Sequence, residues 1–101
     1  MDQNTFSHRL SELRIQKGVS ARDMSLSLGQ SAGYINNIEN GVNYPSMSVF
    51  FYICEYLDIT PKEFFDLDTD NPTKANELLE ATRRLNDAQI EHLIALAKDL
   101  K

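Results

Sequence analysis

Residues 20–41, SARDMSLSLGQSAGYINNIENG, constrain the fold more than any other stretch of this 101-residue chain. They read as two short helices joined by a tight turn. Ser20 stands where an N-cap belongs, and Asp23 three residues on completes a capping-box pattern. Met24 and Leu28 supply an apolar stripe at helical spacing, and Gly29 offers the left-handed residue that ends the helix. Ser31 is placed to cap a second helix with apolar positions Ile35 and Ile38, which Asn40-Gly41 stops.

Two helices joined by a short glycine-containing turn form a helix-turn-helix unit. In that geometry the outer face of the second helix points into solvent: Ala32, Gly33, Tyr34, Asn36 and Asn37. The flanking residues fit around the pair. Thr5 or Asn4 is expected to cap a first helix with Phe6, Leu10 and Leu13 inward, closed by Lys17-Gly18. Pro45-Ser46 is expected to open a fourth helix to about Leu57, with Met47, Phe50, Ile53, Cys54 and Leu57 inward. Thr60-Pro61, with Glu63 at the capping-box position, starts a short fifth helix carrying Phe64 and Phe65. Residues 1–66 therefore read as a compact five-helix domain, and 67–71 as an acidic linker. Residues 72–101 read as two helices with matching apolar stripes, an antiparallel hairpin. Its stripes run through Leu78 and Leu79, then Ile90, Leu93 and Ile94. A hairpin this small buries too little to stand alone, so it must dock on the first domain or on a second copy.

Composition narrows the class. With 42% hydrophobic and 25% charged residues the chain is globular. No apolar run approaches the roughly 20 residues of a membrane span, and the N-terminus lacks signal-peptide character. The single cysteine, Cys54, rules out an internal disulfide framework and fits a reducing cytoplasm. Glycine-rich phosphate loops, nucleophile elbows and zinc-ligand spacing are absent, so an enzyme, a cofactor or a metal centre is not expected. Asp66, Asp68, Asp70 and Glu77 imitate calcium-loop spacing. However, Asn71 before Pro72 stands where that loop needs glycine, and the stretch reads as an acidic linker. The net charge of −5 argues mildly against nucleic acid. Placed along the chain, five Lys/Arg stand against seven Asp/Glu in residues 1–65, and the second helix of the central pair carries no cation.

The runs Arg9-Leu10, Leu13-Arg14, Lys17-Gly18-Val19-Ser20, Leu28-Gly29-Gln30-Ser31, Ile38-Glu39-Asn40-Gly41 and Tyr44-Pro45-Ser46-Met47 together resemble the Cro/CI-type helix-turn-helix family. The resemblance covers residues 9–65. It implies an all-α, five-helix, lambda-repressor-like DNA-binding domain, dimeric on two half-sites about one helical turn apart. It implies a structural ion pair between Arg14 and Glu39, which physics favours because two inward-facing charges are tolerated only when paired. Base contacts are expected from Ala32, Gly33, Tyr34, Asn36 and Asn37. Of these, Asn37 is able to bond an adenine edge and Ala32 to touch a thymine methyl. Phosphate contacts are expected from Ser20, Ala21, Arg22, Ser31, Asn40, Asn43 and Tyr44. Relatives often carry Gln where this chain has Ala21 and Lys where it has Val42. Both departures remove phosphate contacts, which Arg22 and Lys17 are placed to offset in part.

Two surfaces stay open to more than one use. Val49, Tyr52 and Tyr56 follow one another at helical spacing, either as core and scattered surface or as a dimer or docking seam with the C-terminal stripes. The expected function is a cytoplasmic, homodimeric, sequence-specific transcriptional regulator, a repressor on a palindromic operator, with a protein antagonist as a further partner class. The alternative is a protein-interaction module that keeps the fold with little DNA affinity.

Overall fold

The computed structural model describes residues 1–100; Lys101, the last residue of the expected hairpin, lies outside it. Among the described residues there are seven helices and no strand. They are α1 (Gln3–Lys17), α2 (Ala21–Ser27), α3 (Tyr34–Glu39), α4 (Met47–Leu57), α5 (Pro61–Phe65), α6 (Pro72–Thr82) and α7 (Asp87–Asp99). The first five enclose one core: Phe6, Leu10 and Leu13 from α1, Met24 from α2, Ile35 and Ile38 from α3, Phe50, Ile53, Cys54 and Leu57 from α4, then Ile59 and Phe64. Phe6, Phe50, Phe64 and Phe65 form a run of tilted and edge-on ring contacts that joins α1, α4 and α5.

Local chemistry sets most helix ends. Thr60 and Glu63 exchange both bonds of a capping box, as do Asn86 and Gln89. Ser20 accepts from the Asp23 N–H at 3.0 Å, but the reciprocal bond is not made, because aspartate is shorter than the glutamate that closes such a box. Gly29 and Gly41 follow the ends of α2 and α3 at φ of 73° and 75°, which favours glycine. Two end assignments differ from expectation. Asp2, not Thr5 or Asn4, caps α1: its Oδ1 accepts from both the N–H and the hydroxyl of Thr5. Met47 is exposed rather than inward, because it is the first residue of α4, one turn before the buried stripe begins at Phe50.

Arg9 is almost fully buried, at 2% exposure, yet every part of its guanidinium is satisfied. Nε donates to the Phe64 carbonyl, Nη1 to Glu12, and Nη2 to the carbonyls of Glu63, Asp66 and Thr69. The acidic segment after α5 is thus fastened to α1. Gln16 Nε2 adds a bond to the Asp70 carbonyl at 2.6 Å, and Asn76 Nδ2 donates to Glu63 at 2.7 Å. Pro72 is buried at the junction, and beyond it no described residue is fully buried.

The two C-terminal helices are present, but their stripes do not close on each other within one chain. α7 buries no residue, and Leu78, Leu79, Leu93 and Ile94 are 63%, 64%, 40% and 42% exposed. The radius of gyration, 16.6 Å, exceeds the ~13 Å of a compact chain this long, and the molecule is 51 Å along its major axis. The second pair of helices projects from the first five.

Candidate nucleic-acid interface

α3 is braced from three sides. Ile35 and Ile38 are fully buried beneath it. The Ser7 hydroxyl donates to the Ile38 carbonyl at 2.6 Å, tying α3 to α1. Arg14 forms a two-pronged pair with Glu39, Nε to Oε2 at 2.7 Å and Nη2 to Oε1 at 3.0 Å, and also donates to the Val19 carbonyl. Both side chains are mostly buried, and the hydrogen bond to Glu39 pushes the Arg14 pKa up despite the opposing effect of burial. The Glu39 charge is therefore neutralised inside the fold.

The start of α3 is built differently from expectation. Ser31 is not the cap: helix geometry begins at Tyr34 after a turn through Ala32 and Gly33, and Gly33 offers no side chain to cap with. The Tyr34 N–H instead bonds the Ser31 carbonyl at 3.0 Å. Ser25, fully buried on α2, supplies the missing acceptor. Its hydroxyl takes the N–H of Ile35 at 2.9 Å while donating to the Ala21 carbonyl at 2.7 Å. Ser25 was absent from the sequence-based site because it lies ten residues before its partner, beyond the reach of local capping rules.

At about 100° per residue, Asn36 and Asn37 fall opposite Ile35 and Ile38, and both are exposed, as is Gly33. Ala32 and Tyr34 are half-buried. Tyr34 packs on the core beside this face, and burial pushes its phenol pKa up. Among the residues expected at phosphate, Ser20, Arg22, Ser31, Asn40, Asn43 and Tyr44 are exposed, while Ala21 is half-buried on the core. The Ser20 hydroxyl is committed to its cap. Tyr44 sets its ring edge-on to Phe6 at 5.3 Å, which holds the loop after α3 against the domain, and Asn43 donates to the Tyr44 carbonyl within that loop. Arg22 makes no hydrogen bond or ion pair among the described residues and is the cation nearest α3 in sequence on the helix-turn-helix pair itself. Lys17 sits at the end of α1, with its ammonium 4.9 Å from the centre of the Tyr56 ring. On α4, Val49 and Tyr56 are half-buried against the core, whereas Tyr52 is 57% exposed.

No cluster of metal-ligating side chains occurs among the described residues. No helix among them is long and apolar enough to cross a membrane. Burial lifts the Cys54 thiol to about 11, which keeps it protonated at neutral pH.

The helix-turn-helix domain family matches residues 8–68, a span that includes α2, the turn and α3. No curated protein compared with the chain matches it. Among solved structures, the restriction-modification controller protein C.AhdI from Aeromonas hydrophila is similar. It shares 33% identity and a TM-score of 0.59, over 63% of this chain and 93% of that one. α6 and α7 lie beyond the residues that the family matches. The chain belongs to the helix-turn-helix domain family and is a DNA-binding transcriptional regulator of the Cro/CI type.

Proposed function

We propose that this protein is a cytoplasmic repressor that binds a palindromic operator as a homodimer and acts by occluding the site. The observation that carries the reading is the outer face of α3: exposed, uncharged, and held from behind by Ser25, Ser7 and the Arg14–Glu39 pair. Such a face suits the major groove because its one carboxylate is turned inward. Asn37 and Asn36 present amide groups able to pair with an adenine edge, Ala32 and Gly33 allow close approach, and Tyr34 stands beside them as a further contact to a phosphate or base. Arg22, Asn43 and Tyr44, with the backbone around Ser20 and Ala21 and the polar groups of Ser31 and Asn40, contribute phosphate contacts that position without reading sequence. With so few cations the non-specific term is small, so discrimination rests on fit rather than on charge. The likeness to a restriction-modification controller protein supports a regulatory role.

Dimerisation falls to the exposed stripes of α6 and α7, with Leu78, Leu79, Ile90, Leu93 and Ile94 covered by those of a second copy. A helix of 13 residues that buries nothing gains little from its own hydrogen bonds and is stabilised by a partner surface. The same stripes favour a second reading, a protein-interaction module, in which another protein or an antagonist covers them.

Selection from a random duplex pool separates the two. Enrichment of a two-fold symmetric sequence supports the repressor, and failure to enrich any sequence at low salt refutes it.

A further inference from the structure

We infer that Arg9 and Gln16 act as positioning residues that fix the C-terminal helices relative to α3 and so determine which operator half-site spacing is accepted. The last step of this inference rests on the proposed dimerisation through α6 and α7.

α1 carries two sets of bonds on opposite sides. Ser7 and Arg14, seven positions apart and so about two turns, hold α3 through Ile38 and Glu39. Arg9 and Gln16 repeat that interval two residues later, about 200° around the helix. They hold the end of α5 and the segment after it, through the carbonyls of Phe64, Asp66, Thr69 and Asp70. One rigid helix is therefore clamped to the base-reading element on one side and to the root of the projecting helices on the other. The acidic segment reads as a linker by composition, yet it is strapped along α1 at two points, and Asn76 fastens the first turns of α6 to Glu63. The direction in which α6 leaves the domain is thereby set relative to α3. In a dimer joined through the C-terminal helices, this sets the separation and twist of the two α3 helices. Each base pair added between half-sites turns one of them by about 34° around the DNA axis, so a clamped arm tolerates one spacing.

The test uses the full chain in two stages. Spin labels on Ser27→Cys and Glu91→Cys report the distance from α2 to α7 without DNA. The expected distance distribution is narrow, and it broadens in Arg9→Gln. Because Arg9 is buried and its loss endangers folding, the exposed pair Gln16→Ala with Asn76→Ala serves as the second variant, checked by unchanged helical circular dichroism. A broad distribution in the wild-type background, or no broadening in a folded variant, overturns the clamp. Binding is then measured on duplexes whose spacer changes one base pair at a time. Wild type is expected to lose roughly tenfold or more in affinity away from its preferred spacing, and the variants to lose markedly less. Identical spacing profiles overturn the role in operator choice. A wild-type protein that binds no duplex instead overturns the proposed function, while the distance measurement still decides the clamp.

Discussion

The hydroxyl of Ser25 on α2 accepts the backbone N–H of Ile35 on α3 at 2.9 Å, so one helix of the pair caps the other. The first N–H groups of a helix have no partner within it, and α3 has no capping side chain of its own. Ser25→Ala is therefore expected to strand a buried donor and to destabilise the domain by about 1–3 kcal/mol in urea unfolding. An unchanged midpoint would mean that water replaces the hydroxyl and that the two helices are locked by packing alone.

Gly33 is open to substitution. Its backbone lies at φ −94°, ψ 3°, and a Cβ added there meets nothing within 4 Å. Gly33→Arg is expected to leave stability within about 0.5 kcal/mol and to strengthen non-specific binding to duplex DNA at the expense of the close fit to the selected one. The slope of log affinity against log salt should steepen by about 1. A slope identical to wild type would place the outer face of α3 away from the DNA.

Acid stability should depend on Glu63. Its carboxylate accepts the Thr60 N–H at 2.9 Å and the Asn76 amide at 2.7 Å, and these bonds hold its pKa below the usual 4.5. A carboxyl whose folded pKa is depressed stabilises the fold above its unfolded pKa. That contribution disappears as pH falls through the folded value. The melting temperature is expected to drop as pH is lowered below about 4.5, and Glu63→Gln should flatten that drop. The flattening is partial because Asp2, capping α1 through the Thr5 N–H, is shifted in the same direction. A pH dependence of melting unchanged by Glu63→Gln would assign the acid sensitivity to other carboxylates.

The parts of the fold that were legible in the sequence are those written in local chemistry. Ser20, Thr60 with Glu63, and Asn86 with Gln89 announced helix starts because a cap and its target lie three residues apart. The periodicity of Phe6, Leu10 and Leu13, and of Ile35 and Ile38, marked buried faces because helical geometry repeats it. Arg14 and Glu39 were legible only through a family resemblance, since nothing local links residues 25 positions apart. The roles of Ser25, Arg9 and Gln16 were not legible at all. Apart from the Arg9–Glu12 pair, their partners are backbone groups, which every residue has, so no residue type marks them. Met47 misled for a related reason: its spacing fits the buried stripe of α4, but its turn lies at the edge of the core. Within the candidate interface the exposed Asn36, Asn37 and Gly33 stand where expected, whereas Tyr34 and Ala32 are partly drawn into the domain.

In the proposed complex the exposed face of α3 reads base edges, and Asn37 is the residue best placed to do so. The most direct measurement compares wild type and Asn37→Ala on the selected duplex and on duplexes with each half-site base pair changed in turn. Wild type is expected to discriminate strongly at one A·T pair per half-site. Asn37→Ala should lose about 1–3 kcal/mol of binding and become indifferent at that pair alone. Equal affinity of the two proteins for every duplex would contradict the account.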